Sequence, residues 1–144
     1  MNTGPIIWAV IIETSAPTRI DLAGGTMDIW PLYLFHPGAQ TLNAAISIRA
    51  HARVEPNPTG RILLRSLDTK ATHEVTRWQE LRQAPNLRLL ALLVHFFQVD
   101  GITLTTTSES PAGAGIAGSS ALNVAVSAAL AAWTGQQYDP EALL

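Results

Sequence analysis

Gly113, Gly115 and Gly118 stand in one short stretch, with Pro111 just before them and Ser119 and Ser120 just after. These residue types in this order can bind an anion. Glycine lets the backbone adopt positive φ and come close to a ligand. A helix that follows such a loop begins with N–H groups that have no intrahelical partner, and its dipole places partial positive charge there. Phosphate is the usual guest of that arrangement. His36, His51, His73 and His95 are scattered without metal-ligand spacing, and the absence of cysteine excludes disulfides and thiolate metal sites.

Three readings of Gly113-Ala114-Gly115-Ile116-Ala117-Gly118 compete. The string matches the dinucleotide fingerprint G-x-G-x-x-G, and Asp139 follows at about the 20-residue distance of its acidic partner. Against that, the preceding stretch is threonine-rich and alternating, whereas a first Rossmann strand is a buried apolar run. The lysine-bearing P-loop does not fit, because Lys70 is the only lysine. The second reading is a plain glycine turn whose helix is capped by Ser119 or Ser120. The third is a loop that cradles phosphates.

The elements that must hold the loop follow from periodicity. Gly101–Ser108 alternates and reads as a strand with one wet face. Ser120–Trp133 is apolar nearly all round except Asn123 and Ser127, so it reads as a central helix ended by Gly135. Upstream, Ile6–Ile12 reads as a buried strand, Ser15–Leu22 as a second strand, and Gly24–Asp28 as a loop. Residues 29–38, with Pro31 and Pro37, read as irregular or briefly helical. Thr41–Val54 alternates as a half-buried strand, and 55–60 is a turn by composition. Arg61–Ser66 reads as a strand in a hairpin with the preceding one, and Thr72–Thr76 as a short strand. Leu87–Val99 has helical spacing, and Asp139-Pro140-Glu141 is a helix start. Alternating strands early and helices late give an α+β fold rather than a βαβ succession.

With 144 residues, one domain spanning 1–144 is expected. The composition is 47% apolar and 14% charged, rich in core and poor in surface. That balance suits a chain that covers part of itself with another domain or another copy, so self-association is expected. A net charge of −2 without a basic run gives no sign of a nucleic-acid partner. No stretch reaches the about 18 apolar residues of a membrane span, and residues 1–5 lack a signal peptide's basic start, so a cytoplasmic protein is expected.

Pro111-Ala112-Gly113-Ala114-Gly115-Ile116-Ala117-Gly118-Ser119-Ser120-Ala121-Leu122 resembles the second motif of the GHMP kinases, with Ala117 where glycine is usual. Ala16–Asp28 resembles their first motif, and Pro37–Ile46 the segment that follows it in heptose kinase-like members; the spacing is closest to the heptose and fucose kinase branch. The resemblance implies a ribosomal protein S5 domain 2-like fold, with a mixed or antiparallel sheet and helices on one face. It implies ATP-dependent phosphoryl transfer to a hydroxyl of a small sugar or sugar phosphate, with Mg2+. Gly113–Gly118 and Ser119 would hold the ATP phosphates, and Ser120 would contact Mg2+ or the phosphates. Arg19 would be catalytic, near the reacting hydroxyl, and Asp28, Thr26 and Asn43 would face the substrate. The family's catalytic aspartate and third glycine motif have no match here. The resemblance therefore implies an N-terminal half, with its C-terminal domain absent and little turnover of its own. A non-catalytic nucleotide-binding or interaction module on the same fold is the alternative.

Overall fold

A computed structural model describes residues 10–25, 27, 29–83, 86–111 and 113–136. The expected strand at 6–12 and the helix start at 139–141 lie largely or wholly outside them, as do Thr26 and Asp28. The described chain forms strands β1 (Ile12–Ala23), β2 (Leu42–Pro56), β3 (Ile62–Ser66), β4 (Ala71–Val75) and β5 (Ile102–Ser108). Helices α1 (Leu32–Phe35), α2 (Arg88–Phe97) and α3 (Gly118–Thr134) join them, with a short 3-10 helix at Trp78–Gln83. The β-rich first part and late helices make the expected α+β fold.

The five strands form one mixed sheet in the order β1-β2-β5-β3-β4. Every pairing is antiparallel except β3 with β5, which run parallel from Leu63↔Thr103 to Ser66↔Thr106. The expected β2–β3 hairpin does not form. The turn after Pro56 leads β3 away from β2, and β5 enters between them to pair with both. Alternation reports that a strand has one wet face, not which strand lies beside it. The strand expected at 15–22 is longer, running Ile12–Ala23 beside β2.

The sheet is two-faced because its strands alternate. Val54, Ile62, Leu64, Ile102 and Leu104 are fully buried under α2 and α3. On α2, Leu90, Ala91, Val94 and Phe97 form the inward stripe at helical spacing. Each large side chain of that stripe contributes on the order of 1.5–3 kcal/mol by leaving water. The opposite sheet face is polar, and Arg53 bridges Glu13 at 2.7 Å and Glu55 at 2.9 Å. Those carboxylates hold the Arg53 guanidinium above its ordinary pKa, Glu55 contributing most.

Helix α3 buries Ala121, Ala125, Val126, Ala129 and Leu130 against the sheet and α2, and leaves Val124 exposed. It is therefore one-faced rather than enclosed, although its sequence is apolar nearly all round. Three alanines on the inner face let the backbone approach β1, close enough for Thr14 Oγ1 to donate to the Ala125 carbonyl at 2.6 Å. Gly135, with φ +67°, ends the helix as expected. Among the described residues no helix is long and apolar enough to cross a membrane.

The close approach of α3 to β1 leaves no room at Ala125. Ala125→Leu is expected to lower unfolding free energy by about 1–3 kcal/mol through overpacking. Ala128→Leu, on the exposed side of the same helix, should stay within about 0.5 kcal/mol of the parent. Urea denaturation followed by circular dichroism distinguishes the two, and equal effects would contradict this packing.

Candidate functional site

Strand β5 ends at Ser108 in the middle of the sheet, and α3 starts at Gly118. The connection must reverse the chain so that the helix lies back across the strands. Gly113 at φ +76° and Gly115 at φ +69° make the reversal, and a Cβ on either would meet nothing within 4 Å. Their open sides are room, so these glycines answer a conformational need rather than a packing one. Gly118 differs: a Cβ there would come within 2.8 Å of Ser110 Oγ.

Ala117 precedes the helix in the left-handed region, at φ 58° and ψ 34°. That conformation costs a non-glycine residue roughly 1–2 kcal/mol, which explains physically why glycine is usual at this place in the motif. Neither Ser119 nor Ser120 caps the helix; both lie inside it, and no side chain caps its start. The plain-turn reading of the loop therefore lacks the serine cap it invoked. The first intrahelical bond runs from the Ala121 N–H to the Ala117 carbonyl at 3.0 Å. The first-turn N–H groups before it are left for a ligand or water.

Two clefts meet around this helix start. The larger, about 510 Å3, is lined by Gly113, Ala114, Gly115, Ala117, Gly118 and Ser119, with Ser108, Ser110, Pro111, Leu122 and Asp68 completing it. The smaller, about 160 Å3, is lined by Arg19 and Ser120 together with Ala16, Pro17, Ala117, Ala121 and Val124. The structure therefore brings Arg19 to the helix start, although the two are far apart in sequence. The main chain fixes this: the Arg19 N–H donates to the Ile116 carbonyl at 3.2 Å, tying β1 to the loop. Ser119 faces the large cleft and Ser120 the Arg19 side. Ile116 lines neither cleft among the residues given above and serves through its carbonyl.

Arg19 Nε lies 3.4 Å from Asp21 Oδ1. Asp21 is thus a partner of Arg19. Gly25 makes room for it, since a Cβ at Gly25 would come within 2.7 Å of the Asp21 side chain. Asn43 is exposed and sits opposite Asp21 in the β1–β2 register. It shares that strand pair but lines neither cleft. Among the described residues no group of three or more His, Asp and Glu side chains could hold a metal.

Sequence reasoning missed the anchor at the loop's entrance. Where the chain leaves the sheet, the Glu109 N–H donates to the Arg49 carbonyl at 3.0 Å, and its carboxylate accepts the Arg49 N–H at 2.9 Å. The carboxylate thus replaces the next ladder carbonyl. Its other oxygen lies 3.2 Å from His51 Nε2. The Arg49 N–H first, and His51 second, hold the Glu109 carboxyl below its ordinary pKa. No local pattern marks Glu109, because its partners lie on β2.

A carboxyl whose folded pKa is depressed adds stability that is complete above its unfolded value and is lost as pH falls through the folded value. Glu109→Gln should therefore flatten the acid limb of the stability curve below about pH 4.5, the ordinary carboxyl value. Urea midpoints measured against pH check this; identical acid limbs would show that Glu109 is not linked to folding.

Residues 86–144 match a family model described as GHMP kinases N terminal domain. Over 128 residues the chain is 33% identical to a D-glycero-alpha-D-manno-heptose 7-phosphate kinase of Campylobacter jejuni, an alignment covering 85% of this chain and 38% of that protein. The chain thus spans well under half the length of that curated relative. Its fold matches a D-glycero-D-manno-heptose 1-phosphate kinase from Bacteriodes thetaiotaomicron with TM-score 0.81 at 24% identity, covering 93% of this chain and 45% of that one. A putative sugar kinase from Campylobacter jejuni matches with TM-score 0.78 at 27% identity, covering 92% and 42% respectively. The chain belongs to the GHMP kinase family, in its N-terminal domain, and a heptose phosphate kinase is among its relatives.

Proposed function

We propose that this chain grips the phosphates of ATP as the N-terminal domain, residues 1–144, of a kinase acting on a hydroxyl of a small sugar or sugar phosphate. One observation carries the reading: the uncapped start of α3 opens, behind two positive-φ glycines, onto the large cleft, with Arg19 on its flank. Sugar-kinase relatives of the same fold support it.

Phosphoryl transfer asks a protein mainly for positioning and charge neutralisation. The first-turn N–H groups of α3 and the loop Gly113–Gly118 would hold the phosphate oxygens, with Ser119 adding a hydroxyl from the cleft wall. Arg19 would offset charge developing on the transferred group, while Asp21 keeps its guanidinium oriented. Ser120 would offer one neutral oxygen to Mg2+. A single hydroxyl holds that ion poorly, and Mg2+ usually takes carboxylates and substrate phosphates, so the nucleotide would supply most of its coordination. Asp28, Thr26 and Asn43 would face the sugar. No residue here matches the family's catalytic aspartate or its third glycine motif, so turnover by residues 1–144 alone would be small.

Calorimetric titration with MgATP is expected to show saturable binding. Gly115→Val should weaken it at least about tenfold, because a β-branched residue resists φ +69°. No binding by the parent chain, or no loss in the variant, would sink the phosphate-loop reading. Coupled assays on a panel of sugars and sugar phosphates should give little or no turnover by the 144-residue chain; robust phosphorylation would show that the catalytic set is complete within it.

A further inference from the structure

The large cleft is lined by two chemically different groups. One is the loop with the start of α3, which carries the positive end of the helix dipole. The other is Asp68, which sits in the turn between β3 and β4 and is distant from the loop in sequence. That turn is anchored to the sheet: the Leu67 N–H donates to the Thr106 carbonyl at 2.9 Å. Ser66, buried, donates its hydroxyl to Asp68 Oδ1 at 3.1 Å and accepts from the Thr69 hydroxyl at 2.7 Å. One oxygen of the Asp68 carboxylate is thus fixed. Among the described residues the other has no hydrogen-bond partner, and no cation pairs with the group.

An unpaired carboxylate beside a polyphosphate site repels the polyphosphate. It would be a liability unless the part of the ligand that reaches it is neutral and carries donors. A carboxylate with a free oxygen is a good acceptor for a vicinal diol; dinucleotide-binding folds use an acidic side chain on a ribose in this way. Pro111 and Leu122 on the same cleft wall offer apolar surface for the ring system beside such a sugar.

We propose that Asp68 accepts hydrogen bonds from the ribose hydroxyls of the bound nucleotide, and so selects a ribonucleotide over bare polyphosphate. The inference rests on the phosphate-loop reading above. It assigns a specificity role to a residue outside both sequence motifs, on a turn that the fold alone carries to the cleft.

The test measures three ligands by calorimetry in the presence of Mg2+: ATP, 2′,3′-dideoxy-ATP and inorganic tripolyphosphate. The proteins are the parent chain, Asp68→Ala and Asp68→Asn, with circular dichroism melts to confirm that the exposed substitutions leave the fold intact. The parent should bind ATP about tenfold or more tighter than the dideoxy analogue, as expected for a hydrogen bond to a charged group. Asp68→Ala should erase that preference and leave tripolyphosphate as tight as before, or tighter. Asp68→Asn, which keeps one acceptor, should fall between. Equal weakening of ATP and tripolyphosphate would overturn the proposal and place Asp68 at the metal and phosphate end. An ATP-to-dideoxy ratio unchanged by Asp68→Ala would overturn it while the phosphate-loop reading stands. If the parent binds neither ATP nor tripolyphosphate, that reading falls and this one with it.

Discussion

The parallel pairing of β5 with β3 governs the rest of the molecule. It puts β5 between β2 and β3, so the strand ends in the middle of the sheet with neighbours on both sides. A strand ending there cannot turn aside along an edge. The chain must rise off the sheet and return across it, and positive-φ residues are the low-cost means of so tight a reversal. Gly113, Gly115 and the strained Ala117 follow from this constraint, and an exposed helix start follows from them.

The same constraint explains why the anchoring is so complete. A loop rich in glycine gains much chain entropy when free, so something must hold it. The sheet supplies main-chain bonds from two strands. Glu109 extends the β2 ladder beyond its last paired residue, and Arg19 holds the Ile116 carbonyl from β1. The Arg19 bond has a second consequence: it sets a guanidinium-bearing residue beside the helix start. Packing and electrostatics thus meet in one place, and the site is held from the sheet side while its other side stays open.

The polar face of the sheet and the small-residue face of α3 are complementary outcomes. Alanines at 121, 125 and 129 bring the helix near β1, which keeps its first turn next to Arg19. Larger residues would lift the helix away and widen the small cleft. Charges on the far side of the sheet are mostly paired with one another at its surface, as with Arg53 between Glu13 and Glu55. Pairs of that exposed kind contribute little to stability; the buried aliphatic layer around Val54, Ile62 and Leu104 carries it.

What the sequence by itself determined was local. Strand alternation in 42–54 and 102–108, helical spacing in 88–97, and the glycine-rich stretch with its following helix were legible because each depends on neighbours a few residues away. The family resemblance, on which the proposed phosphate-binding role of the loop rests, was legible for the same reason. The partner of β3, the uncapped and left-handed start of α3, and the meeting of Arg19, Asp21 and Ser120 were decided only by tertiary structure. So were the Glu109 anchor on β2 and the arrival of Asp68 at the cleft. Each joins residues from separate strands and turns, and which strand lies beside which is set by burial of the whole sheet under its helices, not by any window of sequence.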